Sequence, residues 1–441
     1  MAAAAAAAAA ATEAQSERRQ RLALARQSGR TLTPENMGEL MQLLHAGLSA
    51  DAAVRTPAEA TLEEWRELPG YFSLLKEVVV HGEAPLEVRW LGACCFKNGI
   101  KRSWRRSQHM NGGITAEEKV HLRTHLLLML DVLDERIAKQ IAEIVGQIAR
   151  FEFPASWPEL IPAIVGRLDA STAEPGEKGL AGARVILRAL RSVLRELSTK
   201  RLKADRLTFQ ELGKGLVPRI YALWTAQSTA MLGAGGAQST PAEARAVLAD
   251  IAKYCTKVLR MLLVGGSSDF SAVEGAMPFV NALPHRLQAT VDAYTQLALA
   301  AGPGGAPAPL ARQLLKCVLA MSGTGLELMK ELPGSCWSCG SVTPYLEFFR
   351  GVLLQQASYS LPDAEGEGGR GALEPLLVHA MLYIMQVLKA EENATADVIS
   401  AASPEGAHVT AAAAAGQAEA LEVRRAIIAG LWVAFFRECQ R

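Results

Sequence analysis

Aromatic residues make up only 6% of this 441-residue chain, and its formal net charge is +1, from 46 basic and 45 acidic residues. That balance argues against a globally basic nucleic-acid binder, which carries a large cationic excess. No run of about 18 apolar residues escapes interruption by charge, Gly or Pro, so no membrane insertion is indicated. Alternating Val, Ile and Thr between Asn-Gly turns is almost absent, which argues against strands. Seven cysteines, an odd count with Cys94 beside Cys95, do not make a disulfide scaffold and fit a reducing compartment. Phosphate-cradling GxxxxGK[ST] and the GxSxG elbow are both missing. With no acid/base constellation either, the chain reads as neither an enzyme nor a cofactor carrier.

What is present is helical rhythm. Half of the residues are hydrophobic, and Leu and Ala dominate the periodic segments, which favours helices. Spacing predicts helices near 34–48, 56–67, 70–81, 85–104, 115–132, 134–150, 156–168, 178–198, 205–225, 241–263, 285–300, 309–330, 342–358, 372–389 and 419–437. Thr33-Pro34 is a start signal, and Ser156 to Glu159 has capping-box spacing. Early helix starts recur at intervals close to the ~40–47 residues of two-helix HEAT repeats. A lone amphipathic hairpin cannot bury its apolar face, so neighbouring hairpins stack. The predicted fold is all-α: an α-solenoid of HEAT-type helix-hairpin repeats, a right-handed superhelical array of about six to eight pairs. Trp90, Trp104, Trp157 and Pro158 are expected to be structural. A buried Trp contributes up to about 4–6 kcal/mol, and Pro158 opens a helix without needing a donor.

Val88 to Arg106, VRWLGACCFKNGIKRSWRR, carries the most information. Phe96, Ile100 and Trp104 recur at i, i+4, i+8, on one helical stripe. Lys97, Lys101 and Arg105 line the neighbouring stripe, with Arg102 and Arg106 beside them. Cations at a helix C-terminus stabilise it by about 0.3–1 kcal/mol, which alone accounts for many such runs. Asn98 and Gly99, however, are poor helix formers. An exposed amide among ammonium groups suits recognition of another protein.

Other constellations carry less. Cys336-Trp-Ser-Cys339 has no second ligand pair for zinc and no βαβ context for redox work. His121 and His125 lack the Glu of a zincin. No metal site is expected. Residues 1–31, rich in Ala and Arg, read as a disordered leader, with an organelle transit peptide as the alternative. Small residues near 391–418 read as a disordered insertion.

The run RWLGACCFKNGI…W resembles the second repeat of the importin-β (karyopherin) family's N-terminal domain. PAEATLEEW (Pro57 to Trp65), Pro69-Gly-Tyr-Phe72, TAEEK (Thr115 to Lys119) and the Phe-Pro…Trp-Pro-Glu-Leu signature within Ile137 to Pro162 extend the likeness. STKRLKADR (Ser198 to Arg206) is similar to the family's importin-eleven subgroup. The resemblance spans Thr33 to about Trp224. It implies an N-terminal domain over 32–168, followed by further HEAT repeats over 169–441. It also implies a nuclear transport receptor, found in nucleus, cytoplasm and pore, that binds RanGTP and carries protein cargo past Phe-Gly nucleoporins. Lys97 and Asn98 fall on the family's Ran-gripping motif, with Lys101 and Arg102 as candidate neighbours. Because family members are longer, the chain is expected to be a piece of one. An export receptor, a HEAT scaffold without Ran binding and an organelle-imported repeat protein are the competing readings.

Overall fold

A computed structural model describes residues 2–105, 114–131, 134–233, 241–266, 272–301, 309–354 and 374–401. The described residues are helical with no strand. The chain divides into two compact units, Met1–Lys200 and Arg201–Arg441.

The first unit contains α1 (Ala2–Gln27), α2 (Met37–Gly47), α3 (Ala52–Trp65), α4 (Tyr71–Val80), α5 (Leu86–Ser103), α6 (Ala116–Leu126), α7 (Glu135–Glu152), α8 (Leu160–Ala173) and α9 (Gly176–Ser198). Hairpins form between α2 and α3, α4 and α5, and α8 and α9. A 3-10 turn at Leu128–Asp131 touches both α6 and α7. The hairpins stack in two rows, α2–α4–α6 and α5–α7–α9. This is the HEAT pattern, in which each pair closes the apolar face of the one before. α7 shows why. Ile137, Ile141, Ile144, Val145 and Ile148 are fully buried at helical spacing. Asp134 starts the helix, its Oδ1 accepting from the Arg136 and Ile137 amides at 3.0 and 3.1 Å. The unit runs past the expected boundary at 168 because α9 packs along α7.

The second unit contains α10 (Lys203–Met231), α11 (Ala242–Gly266), α12 (Ala276–Ala301), α13 (Pro309–Glu331), α14 (Pro333–Ser338), α15 (Val342–Leu354) and α16 (Glu374–Ala401). Its pairs are α10/α11, α12/α13 and α15/α16, again in two rows, α10–α12–α15 and α11–α13–α16.

Four expectations need correction. Ala2–Gln27 is a helix, not a disordered leader. Alanine has the highest helix propensity of all residues, and Arg18 and Arg21 reach Glu63 and Glu64 on α3. The helices expected from about 56 and 285 begin earlier, at Ala52 for α3 and Ala276 for α12, with Pro57 and Pro284 inside them. For α3 the start is set by Asp51, whose Oδ1 caps the Ala53 amide at 2.9 Å. The expected capping box at Ser156 does not form. The Glu152 carbonyl takes the Ser156 and Trp157 amides at 2.7 and 3.2 Å, and α8 begins only at Leu160. Pro158 is accordingly an exposed turn residue, while Trp157 is buried. Finally, residues 391–401 continue α16, where the insertion was expected to begin. Residues 402–418 and the helix expected over 419–437 lie outside the described residues.

Candidate functional site

The cationic end of α5 is positioned by three neighbours. Phe96, Ile100 and Trp104 form the buried stripe read from the sequence, at 0%, 0% and 1% exposure. Gly99 lies against α4. A Cβ there would come 2.5 Å from Phe72 Cε1. The glycine is therefore a packing requirement between α4 and α5, and its presence does not argue for recognition. α4 in turn is anchored at its first turn. Gly70 adopts a left-handed φ of 85°, and Glu118 of α6 accepts from the Gly70 and Ser73 amides at 3.2 and 2.9 Å.

Trp104 ends the helix in a polar clasp. Its Nε1–H donates to Glu152 Oε1 at 2.8 Å, and Arg123 holds the other carboxylate oxygen. Lys119 lies over the Trp104 ring, and Arg105 over Phe151 of α7. α5, α6 and α7 are thus tied together where the basic residues emerge.

From this base Asn98, Lys101 and Arg102 are exposed and Lys97 is half-buried. Among the described residues, no carboxylate forms an ion pair with Lys97, Lys101 or Arg102. Arg106 lies outside the described residues. Burial raises the Cys94 thiol, and the Lys97 ammonium partly opposes it. Burial pushes Cys95 up to about 11. Trp90 is half-buried on the same helix. The arrangement offers a row of unneutralised cations and one amide on a rigid helix end, suited to carboxylates and backbone carbonyls of a protein partner. Glu118 and Glu152 were not legible in the sequence. Each sits at a helix end, where an acid reads as a cap or a solvated charge, and each finds its partners more than 25 residues away.

The other motifs yield no chemistry. His121 Nε2 lies 3.1 Å from Lys76 Nζ, and His125 Nδ1 lies 2.8 Å from the His121 carbonyl oxygen. Burial, then the Lys76 charge, lower the His121 pKa. Among the described residues no group of three or more His, Cys, Asp or Glu side chains could hold a metal. No helix among them is long and apolar enough to cross a membrane. Cys336 and Cys339 are buried, and burial pushes the Cys336 thiol up to about 12. At pH 8 only about one part in ten thousand is then thiolate, the reactive form. Native Cys336 is expected to alkylate with iodoacetamide at least about 100-fold more slowly than in the urea-unfolded chain. Peptide mass spectrometry checks this, and equal rates would show an open thiol.

Residues 58–132 match the importin-beta N-terminal domain, so the match includes α5 and its cationic end. The chain is 31% identical to importin-11 of Homo sapiens over 252 residues, covering 56% of this chain and 24% of that protein. It is 32% identical to exportin-2 of Danio rerio over 139 residues, 32% of this chain and 14% of that one. The chain thus spans about a quarter of the length of the importin-11 it matches. The structure of Lph2 from S. cerevisiae, a bidirectional nuclear transport receptor, superposes with a TM-score of 0.59 at 20% identity, covering 79% of this chain and 32% of that one. That likeness is one of fold. With a family domain match over its early repeats, a HEAT architecture and an importin-11 likeness running through more than half its length, the chain is similar to members of the importin-β family.

Proposed function

We propose that this chain carries the RanGTP-binding repeats of a nuclear transport receptor, and that Lys97, Asn98, Lys101 and Arg102 contact Ran. The observation behind this reading is the cationic end of α5, which has no ion pair at Lys97, Lys101 or Arg102 among the described residues, lies within the stretch matching the importin-beta N-terminal domain and is held by the Trp104–Glu152 hydrogen bond. Protein cargo and Phe-Gly nucleoporins are the further partners, and the receptor moves between cytoplasm and nucleus through the pore.

The mechanism is a coupling of two ligands on one stacked-helix body. RanGTP on the N-terminal repeats disfavours cargo, and cargo must weaken RanGTP by the same factor. Pull-down with Ran locked in its GTP or GDP state tests the first half, with binding to the GTP form alone expected. Lys97→Glu with Asn98→Ala is expected to weaken that binding at least about tenfold, or ~1.4 kcal/mol. Unchanged affinity removes these residues from the site, and no Ran binding at all leaves a HEAT scaffold. The exportin-2 likeness supports a second reading, in which RanGTP retains cargo. The importin-11 match runs over the longer stretch, 252 against 139 residues, and favours displacement. Whether RanGTP releases or holds a bound cargo decides between them.

A further inference from the structure

Lys76 of α4 is a buried charge, its side chain only 8% exposed. A buried ammonium needs acceptors for its N–H groups. Two lie within reach. One is Glu77 Oε1 at 2.7 Å, on a side chain facing solvent. The other is His121 Nε2 of α6 at 3.1 Å. An ammonium only donates, so His121 accepts through an Nε2 that carries no proton. The contact therefore requires a neutral imidazole. The ring of His125 lies beside that of His121, with centroids 4.2 Å apart, and its Nδ1 donates to the His121 carbonyl oxygen at 2.8 Å.

This contact is the second of two ties along the α4–α6 seam. Glu118 accepts from the Ser73 amide, and three residues further along each helix Lys76 meets His121. The first tie involves no imidazole. The second is lost when His121 takes a proton, because Nε2 then becomes a donor and a positive charge faces the ammonium. The groups facing the His121 ring are Lys76 and Glu77 from α4 and His125 from its own helix. Glu117 and Glu118 lie one turn before it, Glu118 on the Gly70 and Ser73 amides. Lys119 and Arg123 lie towards Trp104 and Glu152.

We propose that Lys76 and His121 form a proton-released latch between α4 and α6, closed while the imidazole is neutral and open once it is protonated. Glu118 keeps α6 attached at its first turn. The sign follows from the surroundings. Burial, then the Lys76 and His125 charges, hold the His121 pKa below its ordinary 6.5. The released form takes the proton more readily, so the latch is fully closed above about pH 6.5 and weakens as pH falls from there. Gly99 of α5 rests on Phe72 of α4, so the latch steadies the base of the α5 site. It operates whatever that site binds, and either assignment can fail without the other.

The test is amide exchange of α6 in the full chain, compared with His121→Gln at equal pH so that the chemical exchange rate cancels. A Gln side-chain oxygen can accept from Lys76 at any pH. The ratio of parent to variant rates is expected to rise about three- to tenfold between about pH 7.5 and 5.5, tenfold being the ceiling for a group that titrates near 6.5 when released. Carbon-13 histidine NMR gives a second reading. The resonance missing from His121→Gln should titrate below 6.5 in the parent chain, and Lys76→Met should move it upward. A ratio that does not change with pH overturns the proposal, as does a His121 titration that Lys76→Met leaves in place. Loss of the pH dependence in His125→Gln, with His121→Gln behaving like the parent, also overturns it by moving the sensor to His125.

Discussion

Trp104→Ala is expected to raise hydrogen exchange of the α5 and α7 amides by about two to four orders of magnitude, corresponding to a local loss of about 3–5 kcal/mol. The side chain is 1% exposed, so truncation leaves a cavity as well as losing transfer energy. It also removes the indole donor that fixes Glu152 at 2.8 Å. Glu152 then keeps only Arg123, and Lys119 loses the ring beneath it. Trp104→Phe separates these parts. It retains most of the packing and gives up only the hydrogen bond, at a cost of about 1–2 kcal/mol. Because Lys101 and Arg102 precede Trp104 on the same helix, the Ala variant should also weaken RanGTP more than the Phe variant does. Exchange rates unchanged by the Ala variant would mean that the clasp does not hold the helix.

Gly70→Ala is expected to lower the stability of the N-terminal unit by about 3 kcal/mol or more, from two additive causes. The residue has φ 85°, a left-handed conformation that costs a non-glycine residue about 1–2 kcal/mol. Its Cβ would stand 2.2 Å from the Leu32 carbonyl oxygen, an atom of the backbone that no rotamer change can move. Relief by displacement would strain the hydrogen bonds that the Leu32 N–H donates to the Pro69 carbonyl and the Gly70 N–H donates to Glu118. Gly29→Ala is the control. It also has positive φ, 65°, but nothing within 4 Å of its Cβ, so only the conformational cost remains. Gly70→Asn tolerates the dihedral better but still meets Leu32, so it should be less destabilising than Gly70→Ala by up to about 1–2 kcal/mol. Differential urea unfolding followed by α4 amide exchange compares the three. Equal effects at positions 29 and 70 would show that the contact with Leu32 is not limiting.

Much of the fold was legible because helical periodicity is a local property. Phe96, Ile100 and Trp104 declare their shared stripe by spacing alone, and all three are buried. What local reading could not supply was the reason for residues whose partners lie a repeat away. Gly99 looked like a helix weakened for recognition and is a seat for Phe72. Gly70 appeared only as part of the Pro69-Gly-Tyr-Phe72 likeness, although its geometry is set by Leu32 and Glu118. The leader was misjudged because low complexity was equated with disorder, although polyalanine is the strongest helix former. The arginines of α9 drew no sequence reading, because the partners of Arg188 and Arg195 are Glu135 and Glu143, roughly fifty residues upstream. At the candidate site the basic residues Lys97, Lys101 and Arg102 were legible, whereas the Glu152 clasp beneath them was not.

The ties between α7 and α9 also have a mechanical consequence. Arg188 grips near the start of α7, Arg195 near its middle, and Arg150 at its end reaches back to Thr199. Two rods fastened at three stations cannot slide or twist past each other without breaking fasteners in sequence. Such a pair acts as a stiff plate, so elastic deformation of this unit must concentrate at its unfastened seams. Raising ionic strength would soften the plate, and the unit's compliance would then become more even along its length.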